Sequence, residues 1–150
     1  MAAVAGALAD NVGRVLLDFS EEVIVENGGD IFIAVKNPVT VGIDAGRSPL
    51  SGQVGLRLKA SDTPLAVCTS SGTVGHSLSC GRADAVCIVA RQGALADAAA
   101  TAVANRIAGP EDLAAGIDFA RSIAGLIGVL AICRDQMGVW GQAEVVPLAV

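Results

Sequence analysis

Three segments of the sequence collect residue types that can handle a phosphate group or a hard cation. In Glu26-Asn27-Gly28-Gly29-Asp30, adjacent glycines accept positive φ and let a ligand approach the backbone, while Asn27 and Asp30 offer hydrogen bonds. The same Gly-Gly pair also suits a plain two-residue hairpin turn, so both readings stand. The second segment, residues 68–77, gathers Thr69, Ser70, Ser71, Gly72, Thr73 and the single histidine of the chain, His76. Its donors suit phosphate oxygens, and an imidazole exchanges its proton near neutral pH. A polar surface loop has a similar composition, and the Gly-Lys-Ser/Thr ending of a P-loop is absent. In the third segment, residues 94–102, Asp97 and Thr101 lie four apart on one helix face, with Cβ atoms roughly 5–6 Å from each other. A carboxylate and a hydroxyl so placed are oxygen ligands suited to Mg²⁺. Asp97 also reads as a first-turn residue, where the helix dipole favours a carboxylate without any metal.

The elements that must position these segments follow from periodicity. Val4, Leu8, Val12, Val15 and Leu16 recur at helical spacing, so residues 2–17 read as an amphipathic helix in which Gly6 permits a close neighbour. Short β-branched runs follow at 23–26, 31–36, 39–43, 54–59, 65–69 and 84–90, bounded by Gly, Pro, Asn or Asp, and read as antiparallel strands. Residues 94–107 and 110–124 read as helices, the latter opening on Pro-Glu-Asp, and 126–133 and 144–150 return to strand. No internal repeat, linker or domain boundary is evident. The expectation is one α+β domain over 1–150, a mainly antiparallel sheet with Ala-rich helices on one side.

Composition limits the function classes. The chain of 150 residues is 53% hydrophobic but only 3% aromatic, so its interior must be built from small and branched side chains that allow close approach. A net charge of −5 without a basic stretch argues against nucleic acid as a partner. Cys68, Cys80, Cys87 and Cys133 lack the spacing of a zinc site, and Cys68, Cys87 and Cys133 lie in apolar runs that suit small buried hydrophobes. The first ten residues do not read as a signal peptide, and the apolar run at 123–133 is too short to span a bilayer, so a cytoplasmic location is expected.

Taken in order, the three segments resemble the ApbE family of FAD:protein FMN transferases. Val25-Glu26-Asn27-Gly28-Gly29-Asp30-Ile31 looks like the family's Asn-x-Gly-Gly-Asp-Ile segment, Thr69-Ser70-Ser71-Gly72 like its Thr-Ser-Gly segment, and residues 96–102 like its Ala-Asp-Ala-x-x-Thr-Ala helix. Gly6-Ala7-Leu8-Ala9-Asp10 is similar to the helix that precedes them, and residues 67–105 look closer still to an uncharacterised, cytoplasmic bacterial and archaeal branch. The resemblance implies FAD and Mg²⁺ as cofactors, cleavage of the FAD pyrophosphate, and attachment of FMN to a Thr or Ser of an acceptor protein. It further implies that Asp97 and Thr101 hold the metal, that residues 27–30 and 69–72 line the flavin site, and that His76 stands near the chemistry. Ser77-Leu78-Ser79-Cys80 follows His76 where the family usually has Asp-Pro or Asn-Pro. The rival readings are a flavin or nucleotide binder without transfer, and a structural protein that keeps only the fold. Family members also carry strands before the Gly6–Asp10 helix, so the chain corresponds to the C-terminal part of the family fold. Uncovered surface and homo-oligomer formation are therefore expected.

Overall fold

The β-branched runs pair in antiparallel fashion but divide between two sheets. The structure, a computed structural model, describes residues 3–74, 81–142 and 144–148. Helix α1 (Val4–Leu16) leads into β1 (Val23–Asn27), β2 (Asp30–Ala34), β3 (Val39–Gly42), β4 (Val54–Leu58), β5 (Leu65–Ser70) and β6 (Ala85–Ala90). Helices α2 (Gly93–Ala104) and α3 (Leu113–Ser122) follow, then β7 (Leu126–Cys133), β8 (Gln136–Gly141) and β9 (Glu144–Pro147). Six strands form one sheet in the order β1-β2-β5-β6-β7-β8, and β3-β4-β9 form a second.

Alternation along the central strands assigns each face of the large sheet its own core. Cys68, Val86, Ile88, Val129 and Ala131 point to one face, where Ala96, Ala100, Val103 and Ile107 of α2 and its C-terminal extension cover them. Val67, Cys87, Val89, Leu130 and Ile132 point to the other, against Leu56 and Leu58 of the small sheet. The expected one-sided helix layer is therefore present, and a second sheet covers the opposite face.

Three sequence expectations are corrected. The apolar stripe of α1 is its outer side: Val4, Leu8, Val12, Val15 and Leu16 are 42% to 60% exposed, while Gly6, Ala9 and Gly13 are buried. Only the small-residue face can approach closely enough, with Gly6 against the Gly93 backbone and Gly13 against the ring of the fully buried Phe32. Helix α2 begins at Gly93, so Asp97 is its fifth residue and lies beyond the first turn. Pro110-Glu111-Asp112 forms a 3-10 turn before α3, in which Asp112 Oδ2 accepts the amides of Ala108 and Gly109 at 3.0 and 3.2 Å. Strand β8 carried no clear sequence signal, because Gln136-Met137-Gly138 lacks β-branched residues. It pairs with β7 through the two-residue turn Arg134-Asp135. Among the described residues no helix is long and apolar enough to cross a membrane.

Candidate functional site

Gly28 and Gly29 form the two-residue turn between β1 and β2, closed by the Asn27–Asp30 pair. Their φ values of 64° and 95° are the left-handed conformations that such a turn demands and that glycine adopts without strain. The segment is thus a hairpin turn, and it is also one wall of a cleft of about 460 Å³. Thr69 and Ser71 line the same cleft, together with Val41 and Gly42 of β3 and with Ile43 and Asp44, which follow that strand. Thr69 Oγ1 lies 3.1 Å from Cys87 Sγ at the floor, and burial pushes the Cys87 thiol up to about 11, so it is held as a neutral thiol. Ser71 Oγ accepts the amides of Thr73 and Val74 at 3.0 and 2.8 Å, fixing the loop that leaves β5.

The remaining predicted residues are placed elsewhere. Asp30 is buried on the helix side of the large sheet, where Asp97 is its charged neighbour. Burial first, and then the charge of Asp97, raise the Asp30 carboxyl to about 6. Cys68 adjoins it, with Sγ 3.5 Å from Gly93 O, and burial together with Asp30 drives its thiol well above the usual range. Asn27 turns toward α1 and donates to Ala5 O at 3.3 Å. Ser70 is buried with the helix-facing set of β5, and the Gly72 amide donates to Ala83 O at 2.8 Å. Thr101 is half-buried on α2, one turn beyond Asp97. His76 lies outside the described residues. The structure therefore gathers Gly28, Gly29, Thr69 and Ser71 in the cleft, and Asp30 and Asp97 behind the sheet at the same end.

The junction of α1 and α2 contains a relationship that the sequence reading missed. Gly-Ala-Leu-Ala-Asp occurs twice, at 6–10 and at 93–97, and the two copies cap each other. The Gly6 amide donates to Asp97 Oδ2 at 3.0 Å, and the Gly93 amide donates to Asp10 Oδ2 at 3.1 Å. Each carboxylate satisfies an orphan amide in the first turn of the other helix and faces the positive end of its dipole. The glycines are required because a Cβ on either would meet the other's carbonyl. The copies differ one turn further on. Asp10 Oδ1 is neutralised by Arg14, whose Nε lies 2.8 Å away, whereas Asp97 is followed by Thr101 and flanked by Asp30. Among the described residues no cationic side chain pairs with Asp97.

Over residues 1–137 the sequence matches the family described as AbpE bacteria. The chain belongs to this family. The AbpE chain is 43% identical over 143 residues to a UPF0280 protein of Methanocella arvoryzae, covering 95% of this chain and 58% of that protein. It is 41% identical over 147 residues to the UPF0280 protein MJ1526 of Methanocaldococcus jannaschii, covering 95% and 59%. It thus spans less than two thirds of the length of these archaeal relatives, which fit the branch that the sequence suggested. The crystal structure of an ApbE protein from Thermotoga maritima shares its fold, with a TM-score of 0.65 at 23% identity over 89% of this chain and 48% of that one.

Proposed function

We propose that this AbpE chain binds a flavin nucleotide together with Mg²⁺ and carries FMN transferase-like chemistry. The observation that carries the reading is the unequal charge balance of the two Gly-Ala-Leu-Ala-Asp copies. Asp10 has a built-in cation in Arg14, while Asp97 has a hydroxyl, a second carboxyl and no cationic side chain among the described residues. An all-oxygen donor set with excess negative charge suits a small hard cation, so Asp97, Thr101 and Asp30 fit Mg²⁺. When bound there, the ion would neutralise charge on a transferring phosphoryl group.

The other roles fall to the chain's own groups. The cleft volume is in the range that encloses a nucleotide-sized ligand. Its apolar residues Ile31, Val41 and Ile43 suit a flat aromatic ring, and the open backbone at Gly28 and Gly29 admits phosphate oxygens. Thr69 and Ser71 supply hydroxyls at the cleft wall. Transfer breaks the pyrophosphate P–O bond of FAD, releases AMP and forms a phosphoester with an acceptor hydroxyl, whose proton passes to a base, the role we assign to His76. Release of AMP from FAD on adding Mg²⁺, with an acceptor protein or water receiving FMN, tests the reading. Flavin binding without AMP release would make the chain a nucleotide binder instead.

The exposed outer face of α1 supports a second element of the proposal, self-association. Among the described residues β1 is an edge strand of the large sheet, and its Ile24 is exposed, so two copies related by a two-fold axis could pair along it.

A further inference from the structure

Arg134 opens the two-residue turn from β7 to β8 with φ 56°, a left-handed conformation at a position where glycine is the unstrained choice. Two bonds from buried side chains hold its backbone there. The Arg134 amide donates to Asp84 Oδ2 at 2.6 Å, and Ser48 Oγ donates to Arg134 O at 2.5 Å, with Asp84 and Ser48 only 8% and 7% exposed. Asp84 is itself fixed, since its Oδ1 accepts the Thr73 hydroxyl at 2.8 Å. Glycine would satisfy this backbone more easily, so what the clamp secures is the arginine side chain.

That side chain and Arg47 line one pocket of about 260 Å³ beside Pro49 and Asp135. Among the described residues Arg14, Lys36 and Arg121 are held in ion pairs and Arg91 and Arg106 donate to carbonyls, whereas Arg47 and Arg134, like Arg57, Lys59 and Arg82, make no ion pair. Both oxygens of Asp84 are engaged by the Arg134 amide and the Thr73 hydroxyl, and Asp84 with Asp135 makes the pocket formally neutral, so recognition would rest on the guanidinium forks rather than on excess charge. We propose that Arg47 and Arg134 form a binding site for a phosphate group, either free or carried as a monoester. Two planar guanidinium forks match phosphate oxygens in pairs, and 260 Å³ admits a group of that size. The site adjoins the cleft wall. Thr73, which bonds Asp84, follows the Ser71 that lines the cleft, so phosphate here would brace the same loop.

The test is thermal melting of the full chain in inorganic phosphate against chloride at matched ionic strength, repeated with glycerol 3-phosphate. Phosphate stabilises many proteins by exclusion from their surface, so the variants carry the decision. The parent and Arg57→Ala should show the full shift, and Arg47→Ala and Arg134→Gly should lose most of it. Without phosphate, Arg134→Gly should melt no lower than the parent, because glycine accepts the turn. A shift with glycerol 3-phosphate as large as with phosphate identifies a monoester site, and a shift with phosphate alone identifies a free-ion site. Equal shifts in all four proteins, or none in the parent, would overturn the proposal. If Arg134→Gly folds poorly, Arg47→Ala decides by the same criterion.

Discussion

Asp97 and Gly6 are joined across the α1–α2 junction by a 3.0 Å hydrogen bond, and the same pentapeptide supplies both residues in reciprocal copies. The junction therefore caps two helices with two carboxylates and brings their backbones together at two glycines. Removing either acceptor, by Asp10→Ala or Asp97→Ala, should cost about 0.5–2 kcal/mol, as the loss of a helix cap does. Gly93→Ala should cost more, because its Cβ meets the Gly6 carbonyl rather than open space. Urea unfolding of the three variants gives this order, and a Gly93→Ala protein as stable as the parent would show that the helices do not touch there.

The buried Asp30 carboxyl predicts a pH dependence with a definite sign. It titrates near 3.8 in the unfolded chain and near 6 in the fold, where Asp97 of α2 and Cys68 of β5 face it. Between these values the fold retains a proton that the unfolded chain has released. Its contribution is therefore complete below 3.8 and is lost as pH rises through about 6. The total is on the order of 2–3 kcal/mol. Asp30→Asn should flatten this slope and exceed the parent in stability at pH 7, read from Mg²⁺-free urea melts at pH 4 to 7.5. Parallel curves for the two proteins would refute the raised carboxyl.

Self-association through α1 makes a prediction about solution size. Leu8→Lys with Val12→Lys places two charges on a face that is already exposed, so the fold should survive while the assembly dissociates. Light scattering should find a dimer or larger species for the parent and a monomer for the double variant. A monomeric parent would remove the proposed interface.

Much of the fold was legible because strand alternation and turn residues are local signals. Strand β7 and the turn reading of Gly28-Gly29 follow from them, and the burial of Cys68, Cys87 and Cys133 from the apolar runs in which they lie. The strands' division between two sheets was hidden, since it depends on which strands pair at long range. The packing side of α1 was hidden for a different reason. Hydrophobicity pointed to Val4, Leu8 and Val12, but close approach to Gly93 and Phe32 required the face made of Gly6, Ala9 and Gly13. The repeated Gly-Ala-Leu-Ala-Asp was in plain view, yet at five residues it signals no repeat architecture, and only the reciprocal bonds give it meaning. Arg134 left no signal, because its role lies in a backbone dihedral.

The central claim is that a cation completes Asp97 as Arg14 completes Asp10, and thermal melting with and without Mg²⁺ plus FAD tests it most directly. The parent should gain stability from the pair of ligands. Asp97→Asn keeps a cap acceptor for Gly6 and should melt nearly as the parent does without ligands, but should lose the ligand-induced shift. Thr101→Arg copies the Asp10–Arg14 arrangement, so it should melt higher than the parent without Mg²⁺ and respond little to it. If both variants keep the full shift given by Mg²⁺ and FAD, Asp97 does not hold the cation and the account is wrong.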